Sequence, residues 1–242
     1  MKRKGLILIM VIALLSTACL TAKKQGSETE FNQHLNTAIR FFQQENYPLA
    51  RQELDLALRI NSRSVRANNL MGLTYFKEEN YDLAEIYFQR AVKLDPQYAT
   101  GYLNLGAIYA MRELYPKARE YYEKAISISP DLTAAYYSLA TICFQLRDKE
   151  QGFNYLKKGL ELDPNFLEEH AESRAGLPMK GSVLADFYFN FGKVFASQGN
   201  VEKAADYLRK ARENGFKNWK LIEEEPEFAA VRDNPLIREF LR

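Results

Sequence analysis

Between Met71 and Pro130 the chain repeats itself at an interval of 34 residues: Met71, Gly72, Tyr75, Ala84, Phe88, Ala91 and Pro96 are matched by Leu105, Gly106, Tyr109, Ala118, Tyr122, Ala125 and Pro130. A fixed period of this length restricts the fold to an array of small units, each unable to bury its apolar face alone and each covered by its neighbours. Fainter copies flank the pair. Before it stand Ala38, Phe41, Ala50, Leu54 and Ala57, with Ser62 in the place of the proline; after it stand Leu139, Ala140, Cys143, Gly152, Leu156, Gly159 and Pro164. The register then slips, because Ala140 to Gly192 is 52 residues, and a fifth copy resumes with Phe191, Gly192, Phe195, Ala204, Leu208 and Ala211. Five copies exceed the minimum of about three that such an array needs.

Within each copy the apolar residues recur at i, i+3, i+4 and i+7, the spacing of amphipathic helices about 13 residues long, and nothing alternates with the period of a strand. Each unit therefore reads as two helices, with the small residues where the two backbones come closest. Tyr75, Phe88, Tyr109 and Tyr122 are expected to fill the layer between neighbouring hairpins. Glu45-Asn46-Tyr47-Pro48, Glu79-Asn80-Tyr81 and Gln198-Gly199-Asn200 read as the turns inside hairpins, and Asp95-Pro96, Ser129-Pro130 and Asp163-Pro164 as the ends of second helices. Pro48 and Pro116 fall in a first helical turn, where a missing N–H is harmless.

The period, the early Gly or Ala, the Tyr three residues later, the Ala-x3-Phe step and the closing Pro resemble the tetratricopeptide repeat family. The resemblance implies an all-α fold, a right-handed α-solenoid of helix-turn-helix repeats, with units over 31–64, 65–98, 99–132, 133–166 and 185–216. Residues 217–242, with Trp219, Leu221, Ile222, Phe228, Val231, Ile237 and Phe240, read as a C-terminal helical cap in which Trp219 is a core anchor. Members of this family bind ligands on the first helix of each hairpin. The matching places form a candidate peptide-binding groove of Leu35, Ile39, Phe42, Asn69, Leu73, Phe76, Leu103, Ala107, Ala110, Met111, Tyr137, Thr141 and Phe144. Chaperone-binding members clamp a terminal carboxylate with lysine and asparagine. Here Leu35, Ile39, Thr100 and Asn104 occupy those places, which disfavours such a clamp.

Lys2, Arg3 and Lys4 precede an apolar run from Leu6 to Leu15, and Ser16-Thr17-Ala18-Cys19 follows. Ten apolar residues are too few to span about 30 Å of hydrocarbon as a helix, so residues 1–18 read as a cleaved signal peptide. The small residues before Cys19 resemble a bacterial lipobox, although Ser16 stands where that motif has leucine. Acylation of Cys19 would make the protein an outer-membrane lipoprotein facing the periplasm, tethered by the polar stretch 19–30. Ordinary cleavage at the same bond would leave it periplasmic or secreted. Without Lys2, Arg3 and Lys4 the basic count falls from 33 to 30 against 31 acidic residues, and this near-neutrality argues against a nucleic-acid partner.

No glycine-rich phosphate loop, nucleophile elbow or convergent acid–base pair stands out, so an enzyme is not expected. His170 lies among Glu168, Glu169 and Glu172, a pattern more typical of a solvated helix face than of a metal site; no metal and no cofactor are expected. Cys143 reads as a small core residue. An 18-residue insertion at 167–184 reads either as a lengthened surface loop or as a partner-specific edge. Together these readings describe a non-catalytic scaffold or adaptor of the bacterial cell envelope that holds peptides or partner-protein segments in assembly or secretion. A non-catalytic subunit of a periplasmic or secreted enzyme complex, and a self-associating structural protein, are the alternatives.

Overall fold

The structure is a computed structural model that describes residues 25–165 and 181–241. The signal sequence with Cys19, and residues 166–180, which take in most of the insertion and His170, lie outside the described residues. Among those described, no helix is long and apolar enough to cross a membrane. All regular structure there is helical, and the chain divides after Pro96 into two compact units.

The first unit contains α1 (25–43), α2 (Tyr47–Ile60), α3 (Val65–Lys77) and α4 (Tyr81–Leu94), which make two hairpins. Residues 25–30, assigned to the tether, are helical and continuous with α1. The core of this unit gathers Leu35, Ala38, Leu54, Ala67, Leu70 and Met71, so the first and second hairpins bury one another's apolar residues. Arg51 ties the hairpins further, pairing with Glu78 and lying 5.0 Å over the Tyr75 ring.

The second unit contains α5 (Ala99–Met111), α6 (Tyr115–Ile128), α7 (Thr133–Gln145), α8 (Lys149–Leu162), α9 (Ser182–Ser197) and α10 (Val201–Glu213). It ends in the short α11 (Leu221–Glu224), a 3-10 turn at Pro226–Phe228, and α12 (Pro235–Arg238). Its largest cluster joins Tyr137, Phe144 and Leu156 of the fourth repeat to Phe187, Phe191, Phe195 and Leu208 of the fifth, then to Phe216, Ile222, Phe228, Ile237 and Phe240 of the terminal segment. Arg119 bridges α6 to the next hairpin, 2.8 Å from Glu123 and 3.5 Å from Asp148.

The small residues work as their spacing implies. Gly72 meets the ring of Phe88 and Gly106 that of Tyr122; both rings are buried, beside the fully buried Ala84 and Ala118. These rings, expected between neighbouring hairpins, thus lie first of all inside their own, as do the stacked pairs Tyr75–Tyr87 (5.7 Å) and Tyr109–Tyr121 (5.2 Å). The turns repeat as well. Asn46, Asn80, Asp148 and Asn200 each accept a hydrogen bond from the N–H three residues on, capping α2, α4, α8 and α10. Leu114 stands where a capping side chain would be before α6, and Pro116 in its first turn removes one of the orphan donors.

Candidate peptide-binding surface

At 3.6 residues per turn, the positions three before and one, four and five after Gly72 cluster about a quarter turn round α3 from that glycine. They form a stripe separate from the face that packs on α4. Asn69, Leu73, Phe76 and Lys77 occupy it, extended toward the N-terminus by Arg66. The same register holds Leu35, Ile39 and Phe42 on α1, Leu103, Ala107, Ala110 and Met111 on α5, and Tyr137, Thr141 and Phe144 on α7.

These residues do not make one uniform surface. Ile39, Phe42, Leu73, Phe76, Leu103, Ala107 and Met111 are half-buried, leaving part of each accessible. Leu35 is buried in the core of the first unit, and Asn69 and Ala110 are buried as well. Tyr137, Thr141 and Phe144 are 5 %, 8 % and 2 % exposed. Tyr137 stacks on Phe191 at 6.1 Å and donates from its hydroxyl to the Asp163 carbonyl; Phe144 meets Phe187 edge-on at 5.8 Å. The Thr141 hydroxyl is turned back onto the Tyr137 carbonyl at 2.9 Å. In the fourth repeat the stripe is thus packed under α9, and its residues serve the array.

In the fifth repeat the chain covers its own stripe. Gly192 sits against Leu208 as Gly72 sits against Phe88, so the two hairpins share a register and Phe189 and Lys193 of α9 correspond to Asn69 and Leu73 of α3. Phe189 stacks on Phe216 at 4.2 Å and lies 5.7 Å from Phe228 and 6.4 Å from Trp219. Lys193, whose side chain is 12 % exposed, is ion-paired with Glu225 and with Glu227 at 3.4 Å, and its ammonium lies 4.3 Å over the Phe153 ring. The Trp219 ring packs on Phe240 at 5.1 Å and Phe216 at 5.0 Å, an internal anchor.

Charge on the stripes was missed in the reading of the sequence, although the repeat register contained the signal. Arg66 and Lys77 bracket the α3 stripe, both exposed and without an ion-pair partner among the described residues. No acidic residue stands in this register on α1, α3, α5 or α7.

Other polar chemistry is structural. His34 Nδ1 meets Glu53 Oε2 at 2.7 Å inside the first hairpin. Burial pushes the Cys143 thiol up to about 11 and raises the phenols of Tyr122 and Tyr137 above their usual range. The Arg119 guanidinium is held more firmly charged by its hydrogen bond to Glu123. Among the described residues no group of three or more His, Cys, Asp or Glu side chains is placed to hold a metal.

Comparison with solved structures gives PilF of Pseudomonas aeruginosa (TM-score 0.59, 16% identity, covering 89% of this chain and 98% of that one). MamA of Desulfovibrio magneticus RS-1 follows (TM-score 0.54, 18% identity, 76% and 94%), with YrrB, a TPR protein with an unusual peptide-binding site (TM-score 0.50, 20% identity, 79% and 90%). At these identities the likeness is one of fold. A search of curated protein sequences gave no match. Tetratricopeptide repeat domains bind protein or peptide partners, and their fold is that of a protein–protein interaction scaffold. Sequence models of the tetratricopeptide repeat match residues 63–131, 133–166 and 185–212, together more than half of the chain, which therefore belongs to that family.

Proposed function

We propose that the protein is a non-catalytic scaffold of the bacterial cell envelope, anchored through an acylated Cys19, that holds peptide or partner-protein segments on the first helices of its repeats. The observation that carries this reading is the run of half-buried apolar side chains, Ile39, Phe42, Leu73 and Phe76, at one repeated register of α1 and α3. Apolar residues left partly open on a helix face beside polar flanks are suited to helix-in-groove or extended-peptide packing. The terminal segment seated on the same register of α9 is an internal example of a chain segment held there.

The test is capture from detergent-solubilised envelopes with the wild type beside Leu73→Glu/Phe76→Glu, compared by mass spectrometry. Partners disappear from the double variant while its circular dichroism stays helical; Phe42→Ser/Phe76→Ser is the milder pair should the first lose its fold. Identical partner lists would move the binding surface elsewhere. Loss of labelled fatty-acid incorporation in Cys19→Ser tests the anchor separately.

A further inference from the structure

The terminal segment shows what kind of chain this register holds. Residues 223–228 read Glu-Glu-Glu-Pro-Glu-Phe, and two of those carboxylates meet Lys193 while Phe228 lies beside Phe189. A cation and an aromatic ring on one stripe of α9 thus receive carboxylates and an aromatic ring from a short segment.

The α3 stripe carries the complementary elements. Arg66 and Lys77 are exposed, without an ion-pair partner among the described residues, and the half-buried Leu73 and Phe76 stand between them. Eleven residues of helix rise about 16 Å, a distance that about five residues of extended chain cover. A segment the length of 223–228 therefore spans the two cations while placing its aromatic ring toward the Lys77 end, where Leu73 and Phe76 stand. A basic segment would meet uncompensated repulsion at both ends.

We infer that the α3 stripe binds a short acidic segment carrying an aromatic residue, recognised through side-chain carboxylates at Arg66 and Lys77 and an aromatic ring at Leu73 and Phe76. The inference rests on the scaffold reading above and specifies the chemistry of the partner at that same site.

The probe is a fluorescein-labelled peptide with the sequence of residues 221–230, amidated at its C-terminus so that its only carboxylates are side chains, titrated with the purified protein by anisotropy. Binding is saturable, weakens several-fold between about 0.05 and 0.5 M salt, and falls roughly tenfold in Arg66→Gln/Lys77→Gln. It is lost in Leu73→Glu/Phe76→Glu and when the four glutamates of the peptide are glutamines. Absence of binding, or equal binding of the glutamine peptide, overturns the acidic assignment, and in the second case sensitivity to Leu73→Glu/Phe76→Glu leaves the scaffold reading standing. Binding that responds to Lys193→Met but not to the α3 variants is exchange with the protein's own terminal segment and overturns the α3 site.

Discussion

Gly72 lies against the ring of Phe88 so closely that a β-carbon on it would stand 2.5 Å from Cε1, and Gly106 has the same relation to Tyr122. Alanine is worth up to about 1 kcal/mol more than glycine inside a helix, so the two effects compete. A 2.5 Å approach to the middle of a buried ring is not relieved by a small side-chain shift, and overpacking wins. Gly72→Ala and Gly106→Ala each destabilise by about 1–3 kcal/mol in chemical denaturation. Gly159→Ala, where the β-carbon would stand 3.2 Å from the Tyr137 ring, loses less or breaks even. Gly72→Ala/Phe88→Leu recovers part of the loss if the ring is the obstacle.

Four hairpin turns carry a side chain in left-handed backbone. Glu45, Glu79, Glu113 and Arg147 have φ of 57°, 60°, 59° and 64°, while the fifth repeat has Gly199 at 74° in the equivalent place. A non-glycine residue there costs on the order of 1 kcal/mol in local strain, and glycine relieves it at a smaller entropic cost. Glu79→Gly and Glu113→Gly should therefore raise stability by roughly 0.5 kcal/mol each. The reverse change, Gly199→Glu, should lower it by about 1 kcal/mol. Urea midpoints at fixed ionic strength check both signs.

The hairpins were legible because Gly72, Ala84 and Phe88 are constrained by one another: only small residues admit the ring, so spacing and identity carry the same information. The binding stripe was less legible. Ile39 and Phe42 differ little in type from Leu35 and Phe144, yet the latter two are buried by following helices, and register alone does not say which neighbour arrives. The docking of Glu225 and Glu227 on Lys193 depends on a segment more than 30 residues away in sequence that belongs to no repeat.

Burial holds the Cys143 thiol and the Tyr122 and Tyr137 hydroxyls in their neutral forms, with the Asp163 carboxylate adding to the effect at Tyr137. The unfolded chain ionises these groups more readily, so their contribution is complete below about pH 8.5 and is lost as pH rises toward the folded values. Each such group adds a slope of about −1.4 kcal/mol per pH unit once the unfolded form titrates. Guanidinium midpoints should stay level from pH 7 to 8.5 and then drop. Tyr122→Phe and Cys143→Ala should each flatten the drop. A midpoint that holds to pH 11 would contradict the assignment.

Lys193 joins the last repeat to the terminal segment through Glu225 and Glu227, and its side chain is largely withdrawn from water. Replacing it with methionine keeps most of the packing on Phe153 but leaves two carboxylates facing an apolar stem. Because both glutamates retain some exposure, the cost is below that of a fully buried broken pair, about 1–3 kcal/mol. The loss should be local. Trp219, the single tryptophan, packs on Phe216 and Phe240 inside that segment, so its emission reports the segment while circular dichroism reports the helices. In Lys193→Met the fluorescence transition should move to lower denaturant ahead of the helical one, whereas in the wild type the two are expected to be closer. Restoring coincidence with Lys193→Met/Glu225→Gln/Glu227→Gln identifies the stranded carboxylates, rather than lost packing, as the cause.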